Sequence, residues 1–143
     1  MAKPQPPDTT INASCLCNSI NFSVTGKDKK SVLCHCSNCK KFGGGAFMHN
    51  HRFLNAAVSY QSGEDLVRVY EDSATKTANT LMRHFCSKCG SSLYMTNPKP
   101  FPGLVIVCGS TFGDTSQPSF ELFAEEKHSW IGETTPPKKA ARM

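Results

Sequence analysis

The chain of 143 residues has the length of one domain, since domains commonly span about 100–200 residues. With 38% hydrophobic and 19% charged residues, and no apolar run near the ~18 residues that a membrane-spanning helix needs, the composition excludes a disordered or membrane-spanning chain. Part of the formal charge of +5 comes from Lys138, Lys139 and Arg142, so the rest of the chain lacks the clustered basic face that nucleic-acid binding requires.

Both ends of the chain have the composition of tails. Residues 1–10 contain three prolines and no hydrophobic stretch of a secretory signal, which favours a cytoplasmic protein. Residues 132–143 are rich in Gly, Thr, Pro and Lys and show no apolar periodicity. We predict a disordered N-terminal tail over 1–10, a single domain over 11–131 and a disordered basic C-terminal tail over 132–143.

The domain alternates mostly with period two, which is typical of strands. The first predicted strand has Ile20, Phe22 and Val24 on one face and ends in a turn at residues 26–28. Further short strands are predicted at 46–51, 58–61, 66–70, 81–85, 93–96, 104–108 and 120–124, with a rigid proline loop at 98–102 that cannot join a central strand. The only helical turn is predicted at 36–42. The pattern indicates an all-β domain of short antiparallel strands.

Eight cysteines are the unusual feature of the composition. In a chain without an export signal, reduced cysteines at close spacing hold metal more often than they form disulfides. Seven of them fall into three tight clusters, at Cys15-Leu16-Cys17, at Cys34-His35-Cys36-Ser37-Asn38-Cys39 and at Cys86-Ser87-Lys88-Cys89, while Cys108 stands alone.

Ligand counting divides these cysteines into two sites. A structural zinc site takes four ligands, whereas a catalytic site keeps one position open. Cys86-x-x-Cys89-Gly90 resembles a zinc knuckle, which needs a second pair of cysteine ligands, and Cys15 and Cys17 can supply that pair. Cys34, Cys36 and Cys39 would then form a second site whose fourth coordination position is open. Spacing alone does not force this division, because Cys108 could close the second site. As a free cysteine in a buried strand it would instead be a small hydrophobe.

Other residues are candidates for substrate contacts or proton transfer. His49 and His51 share one strand face and suit acid–base work, although an exposed pair on an edge strand fits equally well. The glycines Gly43, Gly44 and Gly45 could let a ligand approach and offer N–H groups to an anion, or could merely end the helical turn. Lys40 and Lys41 could attract an anionic substrate, and Phe42 and Phe47 could wall a pocket. His35 and His84 are predicted to pack beside the metal sites without ligating.

The cysteine motifs together carry a family resemblance. C-x-C, then C-H-C-x-x-C followed by two lysines and a glycine run, then R-H-F-C-x-x-C-G resembles the glutathione-dependent formaldehyde-activating enzyme family, which includes centromere protein V. The resemblance implies a β-tent fold and two Zn²⁺ per chain. It assigns Cys15, Cys17, Cys86 and Cys89 to a structural zinc, and Cys34, Cys36 and Cys39 to a catalytic zinc.

The resemblance also implies an activity. We predict a zinc-dependent carbon–sulfur lyase that forms or cleaves an adduct between glutathione, or a related thiol, and a small electrophile such as formaldehyde, or that acts on a thioether in a specialised pathway. No nucleic-acid or membrane partner is expected. The alternative is a non-enzymatic zinc-binding interaction module on the same scaffold.

Overall fold

A computed structural model describes residues 3–136 of the chain. It contains one short helix and eight strands: β1 (Thr9–Ser14), β2 (Asn21–Cys34), α1 (Ser37–Gly43), β3 (Met48–Ser62), β4 (Val67–Asp72), β5 (Leu81–Cys86), β6 (Ser92–Asn97), β7 (Phe101–Cys108) and β8 (Glu121–Leu122). Single 3₁₀ turns lie at Glu64–Leu66, Gly109–Phe112 and Ala124–Glu126. The prediction of an all-β domain with one short helical segment is confirmed.

The strands form one sheet in the order β1-β2-β3-β7-β6-β5-β4. Every pairing along this path is antiparallel, and the two-residue β8 adds a parallel pairing at the end of β2. Because β2 ends at Cys34 and β5 ends at Cys86, the topology places one metal-binding motif at each of two strand ends. No helix among residues 3–136 is long and apolar enough to cross a membrane.

The predicted turn at 26–28 is wrong, because β2 continues through it. Two register shifts against β3 occur here, one between Thr25 and Lys27 and one between Asp28 and Ser31. Gly26 is needed for close packing, since a Cβ there would lie 2.8 Å from both the Ala56 Cβ and the Leu54 carbonyl oxygen. The glycine therefore marks a bulge where two strands cross closely.

β3 is one strand of 15 residues, where two short strands were predicted at 46–51 and 58–61. Its middle, around Asn55, has poor strand-forming residues, but pairing with β2 along nearly the whole length overrides local preference. Pro98 and Pro100 lie in a turn within the predicted proline loop, but the prediction is wrong for Pro102, which lies inside the central strand β7. That position is tolerated because β3 pairs with β7 only from Val105 onward.

The N-terminal boundary also differs from the prediction. β1 begins at Thr9, and Thr10 Oγ1 lies 2.8 Å from Thr25 Oγ1 across the β1–β2 pair, so two residues of the predicted tail belong to the sheet. The C-terminal part of the predicted basic tail, residues 137–143, lies outside the described residues.

Two apolar clusters form the core. The larger surrounds Phe22, Phe53 and Leu93, which are fully buried. The smaller contains Met48, Met95 and four cysteines, Cys34, Cys36, Cys39 and Cys108. The second cysteine motif is therefore built into the core.

Candidate functional site

Four cysteines converge where the β1–β2 loop meets the turn after β5. The sulfurs of Cys15, Cys17, Cys86 and Cys89, called here the four-cysteine cluster, all lie within 4.8 Å of one another. Cys15 Sγ is 3.5 Å from Cys17 Sγ, which is 3.9 Å from Cys86 Sγ. Four thiolates at about 2.3 Å from a tetrahedral zinc stand about 3.8 Å apart, so the donor set fits zinc.

The turn after β5 positions one half of this cluster. The backbone N–H groups of Lys88 and Cys89 each donate to Cys86 Sγ at 3.4 Å. The Gly90 N–H donates to the Cys86 carbonyl at 2.8 Å, with Gly90 at φ 79°, a conformation that glycine adopts without strain. Ser91 joins the two halves, because its hydroxyl accepts from the Leu16 N–H at 2.9 Å and lies 3.2 Å from Cys89 Sγ.

Three cysteines converge at the junction of β2 and α1. The sulfurs of Cys34, Cys36 and Cys39, called here the three-cysteine cluster, lie within 4.8 Å of one another, and all three residues are buried. Cys36 is the N-cap of α1, and its sulfur accepts from the Cys39 N–H at 3.3 Å. The Cys34 and Cys39 thiols and this N–H hold the pKa of Cys36 below its usual value. Three sulfur donors leave a position for a fourth ligand, the arrangement typical of catalytic zinc.

A buried ion pair backs the three-cysteine cluster. Arg83 Nη1 lies 4.0 Å from Cys39 Sγ, and Arg83 Nε donates to Asp72 Oδ2 at 2.7 Å. The Asn38 amide of α1 donates to both Asp72 oxygens, at 3.1 and 2.9 Å. The guanidinium supplies positive charge beside the Cys39 sulfur in a buried setting, where charges interact strongly. Neither Arg83 nor Asp72 was predicted, because only the β4–β5 pairing brings them to the cysteines.

Cys108 belongs to the smaller core cluster but not to the three-cysteine cluster. It is buried beside Met48 and Met95, and its sulfur is not among those within 4.8 Å of one another in the described part of the chain. Burial raises the pKa of the Cys108 thiol to about 12. The geometry therefore favours the interpretation of Cys108 as a small buried hydrophobe.

A cavity of about 750 Å³ lies beside the four-cysteine cluster, and its wall includes Cys15 and Ser91. Met48 and Cys108 of the smaller core cluster also line it, whereas Cys34, Cys36 and Cys39 are not among its lining residues. The lining combines hydroxyl groups with apolar side chains: Ser14, Ser91, Ser92, Ser110 and Thr111, with Leu16, Phe42, Phe47 and Met48. The volume suits a small-molecule ligand.

The predicted substrate residues divide into two groups. Gly43 and Gly44 line the cavity, whereas Gly45, Lys40 and Lys41 do not. The N–H groups of Gly44 and Gly45 both donate to the Lys40 carbonyl, at 2.9 and 3.2 Å, so they close the helix and are not free to bind an anion. Lys40 Nζ donates to the Glu126 carbonyl at 2.6 Å, and Lys41 is exposed. Phe42 and Phe47 both line the cavity, and Phe42 also packs against the smaller core cluster.

His49 and His51 share a face of β3 but have different surroundings. His49 lines the cavity. His51 does not; its ring is buried, stacks on Phe53 at 5.0 Å, and lies between Asp28 and Asp114. The alternative of an exposed edge pair is wrong, because β3 lies inside the sheet between β2 and β7.

The two other histidines considered beside the metal sites have partners of their own. His35 is fully buried, and its Nε2 lies 2.9 Å from Glu121 Oε1, which ties β8 to the segment between Cys34 and Cys36. His84 does not support the four-cysteine cluster, contrary to the prediction. Its Nδ1 lies 3.1 Å from the Met82 carbonyl oxygen and its ring stacks on Tyr94 at 4.1 Å.

Comparison with known proteins identifies relatives of the chain. The family model described as "Glutathione-dependent formaldehyde-activating enzyme" matches residues 10–131. A curated protein of Halomonas elongata, provisionally named a glutathione-dependent formaldehyde-activating enzyme, is 27% identical over 125 residues, covering 85% of this chain and 79% of the relative. A crystal structure of a Rhodobacter sphaeroides protein has the same fold, with a TM-score of 0.54 and 18% identity over 74% of this chain and 91% of that one.

Proposed function

Because the chain belongs to the glutathione-dependent formaldehyde-activating enzyme family, we propose that it is a carbon–sulfur lyase that joins a thiol such as glutathione to formaldehyde or another small electrophile, and cleaves the adduct in reverse. The observation that carries the proposal is a cluster of three cysteine sulfurs inside the smaller core cluster, whose neighbouring members Phe42, Met48 and Cys108 line a cavity large enough for a small-molecule thiol. Cys15 of the four-cysteine cluster lines the same cavity.

The two clusters would hold two zinc ions with different tasks. Cys15, Cys17, Cys86 and Cys89 would saturate one ion, which then only stabilises the fold. Cys34, Cys36 and Cys39 would hold the other. A zinc ion bound by three thiolates supplies a soft Lewis acid that favours the thiolate form of an incoming thiol. Arg83 would offset the negative charge of such a site.

Proton transfer is assigned to His49, the histidine that lines the cavity. In the direction of adduct formation, His49 accepts the proton of the thiol, and the sulfur lone pair forms a bond to the carbonyl carbon. The electron pair of the carbon–oxygen π bond moves to oxygen, which then takes the proton from His49. Thiol and aldehyde thus become a hydroxyalkyl thioether with no other reactant, and the reverse steps cleave it.

The cavity lining favours recognition by hydroxyls and shape. No Asp, Glu, Lys or Arg is among the lining residues in the part of the chain that the structure describes. Ser91, Ser92, Ser110 and Thr111 offer hydrogen bonds, and Leu16 at the rim is 86% exposed, available to cover a bound thiol. The charged groups of glutathione would then lie at the cavity mouth, where water screens them.

Thiol and formaldehyde also combine spontaneously, so the test must measure how fast the adduct and its components interconvert. Exchange NMR with the zinc-loaded protein measures that rate. We expect the wild-type protein to accelerate the exchange. His49→Ala is expected to reduce this acceleration by about 100-fold or more. His84→Ala, at a half-buried histidine outside the cavity, is expected to leave it unchanged. Cys34→Ala is expected to lose the activity while remaining folded. A wild-type protein with two zinc ions that neither binds the thiol nor accelerates exchange would support the interaction module instead.

A further inference from the structure

Four ionisable side chains form a continuous line from the outer part of the sheet to the cavity. Asp28 Oδ1 lies 2.7 Å from His51 Nε2, and His51 Nδ1 lies 2.7 Å from Asp114 Oδ2. The same Asp114 oxygen lies 3.7 Å from Nε2 of His49, the histidine that lines the cavity. Asp114 therefore stands between a buried histidine and the one assigned to proton transfer.

Asp114 is held on both sides of its carboxylate. Its Oδ1 accepts from the Ser116 N–H at 2.9 Å, its Oδ2 faces His51, and its own N–H donates to the Gly109 carbonyl at 2.9 Å. Its side chain is 6% exposed. Burial by itself raises the pKa of Asp114, but the Ser116 and His51 hydrogen bonds outweigh it and the pKa is lowered, so the group stays ionised.

His51 locks this carboxylate in place. Each of its two ring nitrogens lies 2.7 Å from a carboxylate oxygen, so neither nitrogen is free for another partner. The ring is fixed further by stacking on Phe53 and by an edge contact with Phe112 at 5.7 Å. Lys30 Nζ, 3.7 Å from Asp28 Oδ2, adds positive charge at the outer end. His51 therefore has no nitrogen left to exchange protons with a substrate.

His49 is oriented by the same carboxylate. Its Nε2 is buried and makes no hydrogen bond in the described structure, and Asp114 Oδ2 is the acceptor that faces it. A nitrogen lone pair beside a carboxylate oxygen would be repelled, whereas an N–H is attracted. The Nδ1 lies on the Gly109 side, where a Cβ at residue 109 would be only 2.7 Å away. Gly109 thus leaves room for the ring to stand in this orientation.

We propose that Asp114 is a positioning residue that fixes His49 as the Nε2–H tautomer, leaving Nδ1 unprotonated to accept the substrate proton, with His51 and Asp28 bracing the carboxylate. The role for the reaction rests on the proposed function, but the tautomer does not. In the Ser-His-Asp triad of hydrolases an aspartate likewise fixes the tautomer of the catalytic histidine.

Nitrogen-15 NMR of histidine-labelled, zinc-loaded protein tests the tautomer without an activity assay. With five histidines in the chain, the His49 signals are assigned by their absence in His49→Gln. Wild type is expected to show Nε2–H. In Asp114→Asn the amide oxygen is expected to keep the hydrogen bond from the Ser116 N–H, so the NH₂ group takes the place of Oδ2 and faces His49 and His51. Because this NH₂ group donates, His49 Nε2 must accept, and His49 is expected to change to the Nδ1–H tautomer. Asp114→Ala removes the acceptor and supplies no donor, so His49 is expected to lose its single fixed tautomer and to show a mixture of Nε2–H and Nδ1–H.

The kinetic readout connects the tautomer to the reaction. Asp114→Asn is expected to lower kcat by roughly 100-fold or more with little change in KM, as expected for a wrong tautomer. His49→Ala with Asp114→Asn is expected to be no slower than His49→Ala alone. Asp65→Asn, at an exposed aspartate, is the matched control and is expected to change neither readout.

Three results would overturn the proposal: an Nδ1–H tautomer in wild type, an unchanged tautomer in folded Asp114→Asn, or additive losses in the double variant. If Asp114→Asn does not fold, Gly109→Ala provides the test, because its methyl group displaces the His49 ring and removes no charge. Its His49 nitrogen signals are expected to move while the His51 nitrogen signals stay unchanged, and unmoved His49 signals would contradict the proposal. Should the tautomer result hold while no thiol chemistry is found, only the proposed function fails.

Discussion

The two cysteine clusters use the same side chain in opposite surroundings. The four-cysteine cluster lies near the surface, with Cys17 exposed, and tight turns stabilised by N–H···S hydrogen bonds hold it together. The three-cysteine cluster is fully buried, caps a helix and is backed by Arg83. The clusters therefore differ in the number of sulfurs, in exposure and in the presence of a buried cation, and on the proposed function the first would stabilise the fold while the second would hold the catalytic zinc.

The four-cysteine cluster should control folding most strongly. It joins the β1–β2 loop to the turn after β5, two segments that otherwise share few contacts, and metal binding energy at such a site is folding energy. We expect Cys86→Ala to lose one zinc ion and the cooperative thermal transition. Calorimetry and metal analysis measure both. A variant that melts like wild type would show that the cluster does not maintain the fold.

The three-cysteine cluster should instead control chemistry. Its members lie inside the smaller core cluster, which Met48 and Met95 also fill, so we expect Cys34→Ala to lose the other zinc ion and stay folded. The destabilisation should be about 1–3 kcal/mol, the range for a small core truncation. Metal analysis with denaturant unfolding checks this expectation. Equal destabilisation by Cys34→Ala and Cys86→Ala would remove the distinction between the clusters.

Arg83 provides a test of the charge difference. Arg83→Met leaves Asp72 buried without its cation, which we expect to cost about 3–5 kcal/mol. It should also weaken zinc at the three-cysteine cluster and not at the four-cysteine cluster, because only the former has the guanidinium 4.0 Å from a sulfur. Competition with a chelator measures the two affinities. Arg83→Lys retains the charge and should recover part of the zinc affinity, and an equal loss at both clusters would contradict the argument.

The cysteine motifs were predictable because ligand spacing is local. Two residues between Cys86 and Cys89, and a helical turn after Cys36, define the sulfur positions before any long-range contact forms. The helix was predicted at 36–42 and begins at Ser37 because Cys36 serves as its cap. Gly26 misled the prediction, since a glycine that permits close strand packing has the same local signal as a turn.

The surroundings of the site could not be predicted, because they depend on strand order. Asp114 reaches His49 and His51 only through the β3–β7 pairing and the 3₁₀ turn that follows β7. Arg83 meets Asp72 through the β4–β5 hairpin. The sequence places histidines two residues apart on one face, but it does not show that one lines a cavity and the other is bracketed by carboxylates.

The smallest expected effect tests whether Cys108 is outside the three-cysteine cluster. Cys108→Ala should retain both zinc ions and cost about 1 kcal/mol at pH 7, from lost packing. Burial raises the pKa of the folded thiol to about 12, so the protonated thiol favours the folded state. That contribution is complete below the unfolded pKa of about 8.5 and is lost as pH rises toward 12. Wild type should therefore lose about 1.4 kcal/mol per pH unit above roughly pH 9, relative to the variant.

Denaturant unfolding of the two proteins from pH 7 to pH 10 measures this difference, and effects common to both proteins cancel. The cost of Cys108→Ala should shrink to zero at about pH 9 and reverse by about 1 kcal/mol at pH 10, because the unfolded wild-type thiol ionises and the alanine has nothing to ionise. A cost that stays constant with pH would mean that the thiol has the same pKa in the folded and unfolded states, which would contradict the burial of Cys108. Loss of one zinc ion from the variant would mean that Cys108 is the fourth ligand, and that the three-cysteine cluster is closed to substrate.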